Sequence, residues 1–185
     1  MPFDFRPEKE VKGVFTIEPT TFCDERGWFI ESFKNTDFIE NGIEFEVCQV
    51  NHSFTRLAGT LRGLHLQKGP SEQGKLVRCL RGSVFDVAVD VEPSSATFKS
   101  HVGQVLSSEN RLMMWIPPRC AHGFQTLGPD TEVEYLTSSI YDPFAERSIR
   151  WNDTQLDIQW PLDIANLSEK DANALSLTEF LGDWK

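Results

Sequence analysis

A histidine set among cations is the most chemically suggestive feature of the chain. Residues 59–67 read Gly-Thr-Leu-Arg-Gly-Leu-His-Leu-Gln, so Arg62, His65 and Gln67 fall close together, and Lys75 follows at the head of the next apolar run. If 62–67 is extended, the period of two sends His65 and Gln67 to one face. A neutral imidazole, with an unperturbed pKa of about 6.5, accepts a proton at neutral pH. Cationic neighbours work against that, so an imidazole base here needs a carboxylate to fix its tautomer and stabilise the imidazolium it becomes. Lacking one, His65 reads as an ordinary packed or surface histidine.

The cations extend further. Arg56, Arg62, Lys68, Lys75, Arg78 and Arg81 lie between positions 56 and 81, with Glu72 as the sole acid of that stretch. In a chain of net charge -10, one basic island suits a cradle for a small anion, while some of its members serve as solvated strand or loop charges.

Strands must position these groups. VFDVAVDV at 84–91 alternates, with Phe85, Val87, Val89 and Val91 on one face and Val84, Asp86, Ala88 and Asp90 on the other, a mixed or site-lining face. LVRCL at 76–80 precedes it across Arg81-Gly82-Ser83, a connection of the hairpin type. Further strands are expected at 14–17, 28–33, 102–106, 112–116, 124–127 and 132–137, punctuated by Gly, Pro, Ser and Asn. Many short strands with regular turns indicate a sandwich or barrel. Helical signal is peripheral: 36–42 closed by Gly42, and a capped C-terminal helix over 168–181.

Composition narrows the classes. With 185 residues, 39% hydrophobic and 25% charged, and with 14 Phe and 5 Trp, the chain suits a single globular domain, 1–185. Its negative charge disfavours nonspecific binding to nucleic acid or anionic membrane. Cys23, Cys48, Cys79 and Cys120 form no CxxC pair and no zinc spacing, as expected of reduced thiols in a cytosol. The start MPFDFRPEKE has no apolar h-region, and no apolar run nears the ~18 residues of a membrane span, so a cytoplasmic protein is expected.

The runs RGLHLQ, QGKLVRCLRGSVFDVAVDV, LSSEN, IPPRCAHGF, RWND and LSEKD occur in that order over about 14–171. Together they resemble the dTDP-4-dehydrorhamnose 3,5-epimerase family. The resemblance implies a mainly β, cupin-type jelly-roll barrel, acting without metal or redox cofactor. It also implies a homodimer with exchanged N-terminal strands. The substrate it implies is a dTDP-sugar, a nucleotide-linked 4-keto-6-deoxyhexose. By the same resemblance, His65 is the general base, Asp171 its orienting carboxylate, Tyr135 the acid on the opposite face, and Lys75 the stabiliser of the enolate oxygen. Arg26, Glu31, Gln49, Asn51, Arg62, His122, Glu146 and Lys170 correspond to substrate contacts, some of them with the pyrophosphate. Phe29 or Tyr141 is placed to stack on the nucleobase or sugar.

These residue types suit the chemistry. A C–H beside a ketone is acidic because its carbanion delocalises onto oxygen, and a cation aimed at that oxygen lowers the barrier. Inversion then needs a proton donor across the ring, which a phenol supplies. Rival readings remain: Ser168-Glu-Lys-Asp171 as a plain helix cap, Tyr135 as a packed aromatic, Lys75 as a rim charge. A metal-dependent cupin enzyme usually offers His-x-His, whereas this chain offers His65-Leu66-Gln67. A non-catalytic sugar-nucleotide binder needs no acid and base on opposite faces. Single-centre 3- or 5-epimerases and ketoisomerases share the enolisation step. The segment Leu136-Thr-Ser-Ser-Ile140, where the family commonly carries Lys, a Thr-Asp pair and an aromatic, bears on that choice.

Overall fold

The computed structural model describes residues 2–182. Its strands form two facing antiparallel sheets. The first has the order β1 (Phe3–Pro7), β2 (Phe15–Pro19), β10 (Met113–Ile116), β7 (Lys75–Arg81), β12 (Thr131–Thr137), β5 (Gln49–Thr55). The second has the order β13 (Glu146–Ser148), β6 (Leu61–Gln67), β11 (Cys120–Thr126), β8 (Ser83–Asp90), β9 (His101–Ser107). A small hairpin, β3 (Phe22–Asp24) with β4 (Gly27–Phe29), stands as its own sheet. The mainly β, cupin-like architecture expected from the sequence is the one found.

Alternation along the strands separates three apolar clusters. Val77, Met114 and Val133 of the first sheet meet Val84, Ala88, Leu106 and Phe124 of the second, filling the space between them. Burying each such large side chain contributes about 1.5–3 kcal/mol. Val87 and Val89, on the other face of β8, pack under Leu156, Leu177 and Phe180 from the C-terminal segment. The outer face of the first sheet is covered by Phe38 and Ile43, from and just beyond helix α1 (Asn35–Glu40), against Ile17, Met113 and Trp115.

Three local expectations change. Residues 76–80 and 84–91 are both strands, but they belong to different sheets, so the link between them is a corner rather than a hairpin. Gly82 makes the corner possible: its φ is +75°, and a Cβ there would meet Thr131 Oγ1 at 2.6 Å. The C-terminal helix is broken into α2 (Glu169–Ala172) and α3 (Leu177–Gly182). Between them the chain is captured by the second sheet, where Arg150 N donates to Leu175 O at 2.7 Å, and a new cap starts at Ser176, whose N donates to Glu179 Oε2 at 2.8 Å. Strand β4 ends at Phe29 instead of continuing to 33.

Candidate active site

His65 on β6 lies directly opposite His122 on β11. The two strands approach closely because Gly63 (φ +120°) carries no side chain; a Cβ would fall 2.5 Å from Gly123 Cα and 2.6 Å from His122 O. Each imidazole then finds its own carboxylate. His65 Nε2 meets Asp171 Oδ1 at 2.5 Å, and His122 Nε2 meets Asp86 Oδ1 at 2.7 Å. Since an ionised carboxylate only accepts, the bonded Nε2 carries the proton in both rings, and Nδ1 of a neutral ring keeps the lone pair.

Ser168-Glu-Lys-Asp171 is a helix cap that also brings its last residue to His65. Ser168 caps α2, its Oγ accepting from Asp171 N at 3.1 Å, and that cap fixes the backbone from which the Asp171 carboxylate reaches His65. Burial alone would raise the Asp171 pKa, but hydrogen bonds from His65, Ser168 and the Gly63 backbone outweigh it and hold the group below the ordinary range. Asp171 is therefore a permanent anion behind the imidazole.

Lys75 opens β7 and is buried, its Nζ donating to His65 O at 3.3 Å. Burial pulls its pKa down to about 8, against the pull of Asp86 and Glu146, while Lys170 adds to the depression. Tyr135, on β12 between Asn51 of β5 and Val77 of β7, keeps its proton more firmly than a free phenol because it is largely desolvated.

These groups line two adjoining cavities. The larger, about 400 Å³, is walled by Arg62, His65, Lys75, His122, Tyr135 and Asp171 among others. The smaller, about 280 Å³, is walled by Gln49, Asn51, Tyr141 and Glu146, and shares His65, Lys75 and Tyr135 with the first. Glu146 of the smaller cavity is held from both sides: Lys170 Nζ, on the wall of the larger cavity, stands 2.6 Å from its Oε1, and Tyr141 Oη donates to its Oε2 at 2.8 Å. Burial works to raise the Glu146 pKa, but those two hydrogen bonds prevail and keep it ionised. Gln49 Oε1 accepts from Tyr141 N at 2.9 Å, and its Nε2 donates to Asn51 Oδ1 at 2.7 Å. The departing segment 136–140 is tied beneath Tyr141: Gly74 N donates to Ser138 Oγ and Ser139 Oγ donates to Glu72 O, each at 2.8 Å.

Not every expected residue is gathered here. Arg26 and Phe29 line a separate concavity on the β3–β4 hairpin, where Arg26 is paired with Asp24, and Glu31 lines neither cavity. The basic island divides: Arg62 and Lys75 face the cavities, while Arg78 and Arg81 pair with Glu134 and Glu132. Gln67 does line the smaller cavity, but its amide is engaged with the backbone, its Nε2 donating to Ser71 O at 2.7 Å and Ile140 O at 3.1 Å. Among the described residues, no group of three or more His, Cys, Asp or Glu is placed to hold a metal ion. Asp86 was not singled out from the sequence as a site residue. Its signal was the mixed inner face of VFDVAVDV, an acid where alternation calls for an apolar residue.

The chain also has known relatives. The family model described as dTDP-4-dehydrorhamnose 3,5-epimerase matches residues 8–179. A dTDP-4-dehydrorhamnose 3,5-epimerase from Shigella flexneri is 48% identical over 165 residues, covering 89% of this chain and 91% of its own. The chain belongs to the dTDP-4-dehydrorhamnose 3,5-epimerase family. Its enzyme class is accordingly isomerase, and epimerisation at C3 and C5 is the reaction that names the family. A 3,5-epimerase from Legionella pneumophila Philadelphia 1, solved in complex with dTDP-4-keto-L-rhamnose, superposes with a TM-score of 0.90 at 42% identity, covering 95% of this chain and 93% of that one. A 3'-monoepimerase from Streptomyces bikiniensis, solved with dTDP-quinovose, superposes at 0.89 with 35% identity, covering 96% and 90%. The fold and class expected from the sequence motifs thus agree with the relatives. Among the described residues, no helix is long and apolar enough to cross a membrane.

Proposed function

We propose that this chain converts dTDP-4-dehydro-6-deoxy-D-glucose into dTDP-4-dehydro-L-rhamnose, with His65, Lys75, Tyr135 and Asp171 as its reacting machinery. The observation that carries this reading is that one imidazole, one ammonium and one phenol line both of two joined cavities. His65 Nδ1 takes the proton from the carbon beside the ketone, and the C–H electrons pass to the C4 oxygen. Lys75 faces that enolate oxygen as a cation and lowers the barrier electrostatically. Tyr135 returns a proton to the same carbon from the other face, becomes a phenolate and recovers its proton from water; His65 gives its captured proton to solvent. Asp171 stabilises the imidazolium between those events. Arg62 and Lys170 suit the pyrophosphate, His122 the sugar, and Gln49, Asn51, Tyr141 and Glu146 the smaller cavity's end of the ligand.

Inverting one centre is the second reading, favoured by the likeness to the monoepimerase. Supplying the 4-keto sugar nucleotide in deuterated water separates the two: deuterium at both C3 and C5 is expected, and label at one centre alone gives the single-centre enzyme. Label at neither would remove the proposal. In Tyr135→Phe, washing-in of label should persist while formation of the inverted product falls by about 10²-fold or more, the usual weight of a positioned acid.

A second copy of the chain completes the site in this reading. Arg26, Phe29 and Glu31 find no place at the cavities of their own chain, and the hairpin exposes Phe22, Trp28 and Phe29. Exchange of N-terminal strands in a homodimer would bring them to the partner's cavities. Sedimentation should accordingly give about twice the chain mass of 21.1 kDa, and a monomer fully active in solution would contradict it. The four free cysteines support a cytoplasmic location.

A further inference from the structure

Asp86 is wholly buried on the inner face of β8, between Val84 and Ala88 in sequence alternation. Its Oδ1 accepts from His122 Nε2 at 2.7 Å, while its Oδ2 is buried without a hydrogen-bond partner. An ionised carboxylate taken out of water and left half unpaired is costly, and is kept only where something compensates it. The titratable groups that face it are His122 from β11, and Lys75 and Cys79 from β7. Lys75 faces Glu146 and Lys170 in addition, and His122 faces Lys75 and His65. Of these, Lys75 is the cation that is both buried and placed on the cavity wall.

Building on the enolate role of Lys75 proposed above, we infer that Asp86 is a positioning residue, the fixed counter-charge that keeps Lys75 an ammonium inside the barrel and holds His122 in one tautomer against the sugar. Asp86 acts through these two neighbours and does no chemistry on the substrate. Its hydrogen-bonding oxygen is given to His122, and its charge acts on the buried Lys75 through space, without a direct ion pair. Burial has already drawn Lys75 down to about 8, so removing the anion that raises its pKa most pulls the proton off within the working range. Neither of the other groups confuses that range. Burial pushes the Cys79 thiol up to about 11, and it lowers the His122 pKa below the ordinary imidazole value.

The test is the pH profile of kcat in Asp86→Asn, which keeps shape and removes charge. The alkaline limb should move down by about one pH unit or more, the usual effect of one close charge, so that activity at pH 8.5 relative to pH 7 falls several-fold. A purely structural role lowers the yield of folded enzyme without moving that limb. An unmoved limb in folded Asp86→Asn would overturn the inference while leaving the enolate role of Lys75 intact, since inactivity of Lys75→Met reports on that role separately. Should Asp86→Asn not fold, the double variant Asp86→Asn/Lys75→Met should fold again, because the uncompensated ammonium has gone. Failure of the double variant to recover would give Asp86 a packing role and overturn the inference equally.

Discussion

His65→Asn should lose about 10²–10⁴-fold in proton exchange from the 4-keto sugar, the range expected for a positioned general base, while the barrel remains folded. Asparagine keeps a donor near the Asp171 carboxylate, so the buried anion is not abandoned, and Asp171 retains its hydrogen bonds from Ser168 and the Gly63 backbone. The loss should therefore sit in the chemical step. Mass-spectrometric deuterium uptake into the sugar measures it, with a thermal melt as control for folding. Uptake within tenfold of the parent enzyme would transfer the base role to another group.

Lys75→Met should lose activity and, with it, the alkaline rise in stability of the parent protein. Removing one preorganised oxyanion stabiliser costs about 10²–10³ in kcat. The same ammonium is held near pKa 8 by burial, below the ordinary 10.5, so the folded state carries the cost of desolvating it. That depression corresponds to about 3 kcal/mol at about 1.4 kcal/mol per pH unit. The unfolded chain binds the proton more tightly, so in the parent protein the cost is fully present below about pH 8 and is relieved as pH rises towards 10.5. Methionine, of similar length, removes it. Methionine also leaves the buried Asp86 carboxylate without the cation that faces it, which offsets that gain, so the signature is the pH dependence: in urea unfolding the parent's rise in stability between pH 8 and 10.5 should vanish in the variant. An inactive variant that keeps the parent's rise in stability between pH 8 and 10.5 would contradict this account of Lys75.

Local pattern told the strands apart well, because the period of two is written in side chains. VFDVAVDV shows which residues face the interior and which face the C-terminal cover, and β8 obeys it. Pattern does not say which strand pairs with which. Residues 76–80 and 84–91 look like a hairpin in sequence, yet each finds its partners elsewhere and the turn at Gly82 crosses between sheets. The break in the C-terminal helix is invisible in the sequence for a related reason: the residues between α2 and α3 are claimed by a backbone bond to Arg150, which no helical propensity reveals. Within the site, His65, Arg62 and Lys75 announced themselves by type and spacing. Asp171 lies 106 residues from His65, and only the family motif, never the spacing, pointed to it. Asp86 carried a visible signal in its own strand, but its significance depends on His122 arriving from β11. Arg26 and Phe29 line a concavity on their own hairpin, and only the proposed second copy would bring them to a catalytic cavity.

All of this depends on His65, Lys75 and Tyr135 surrounding one hexose ring. A crystal structure with a dTDP-linked 4-keto-6-deoxy sugar bound tests it most directly. Lys75 Nζ should lie within about 3 Å of the C4 oxygen, a hydrogen-bond distance, with the His65 imidazole on one face of the ring and the Tyr135 hydroxyl on the other. A hexose seated away from Lys75, or one with His65 and Tyr135 on the same face, would contradict the account.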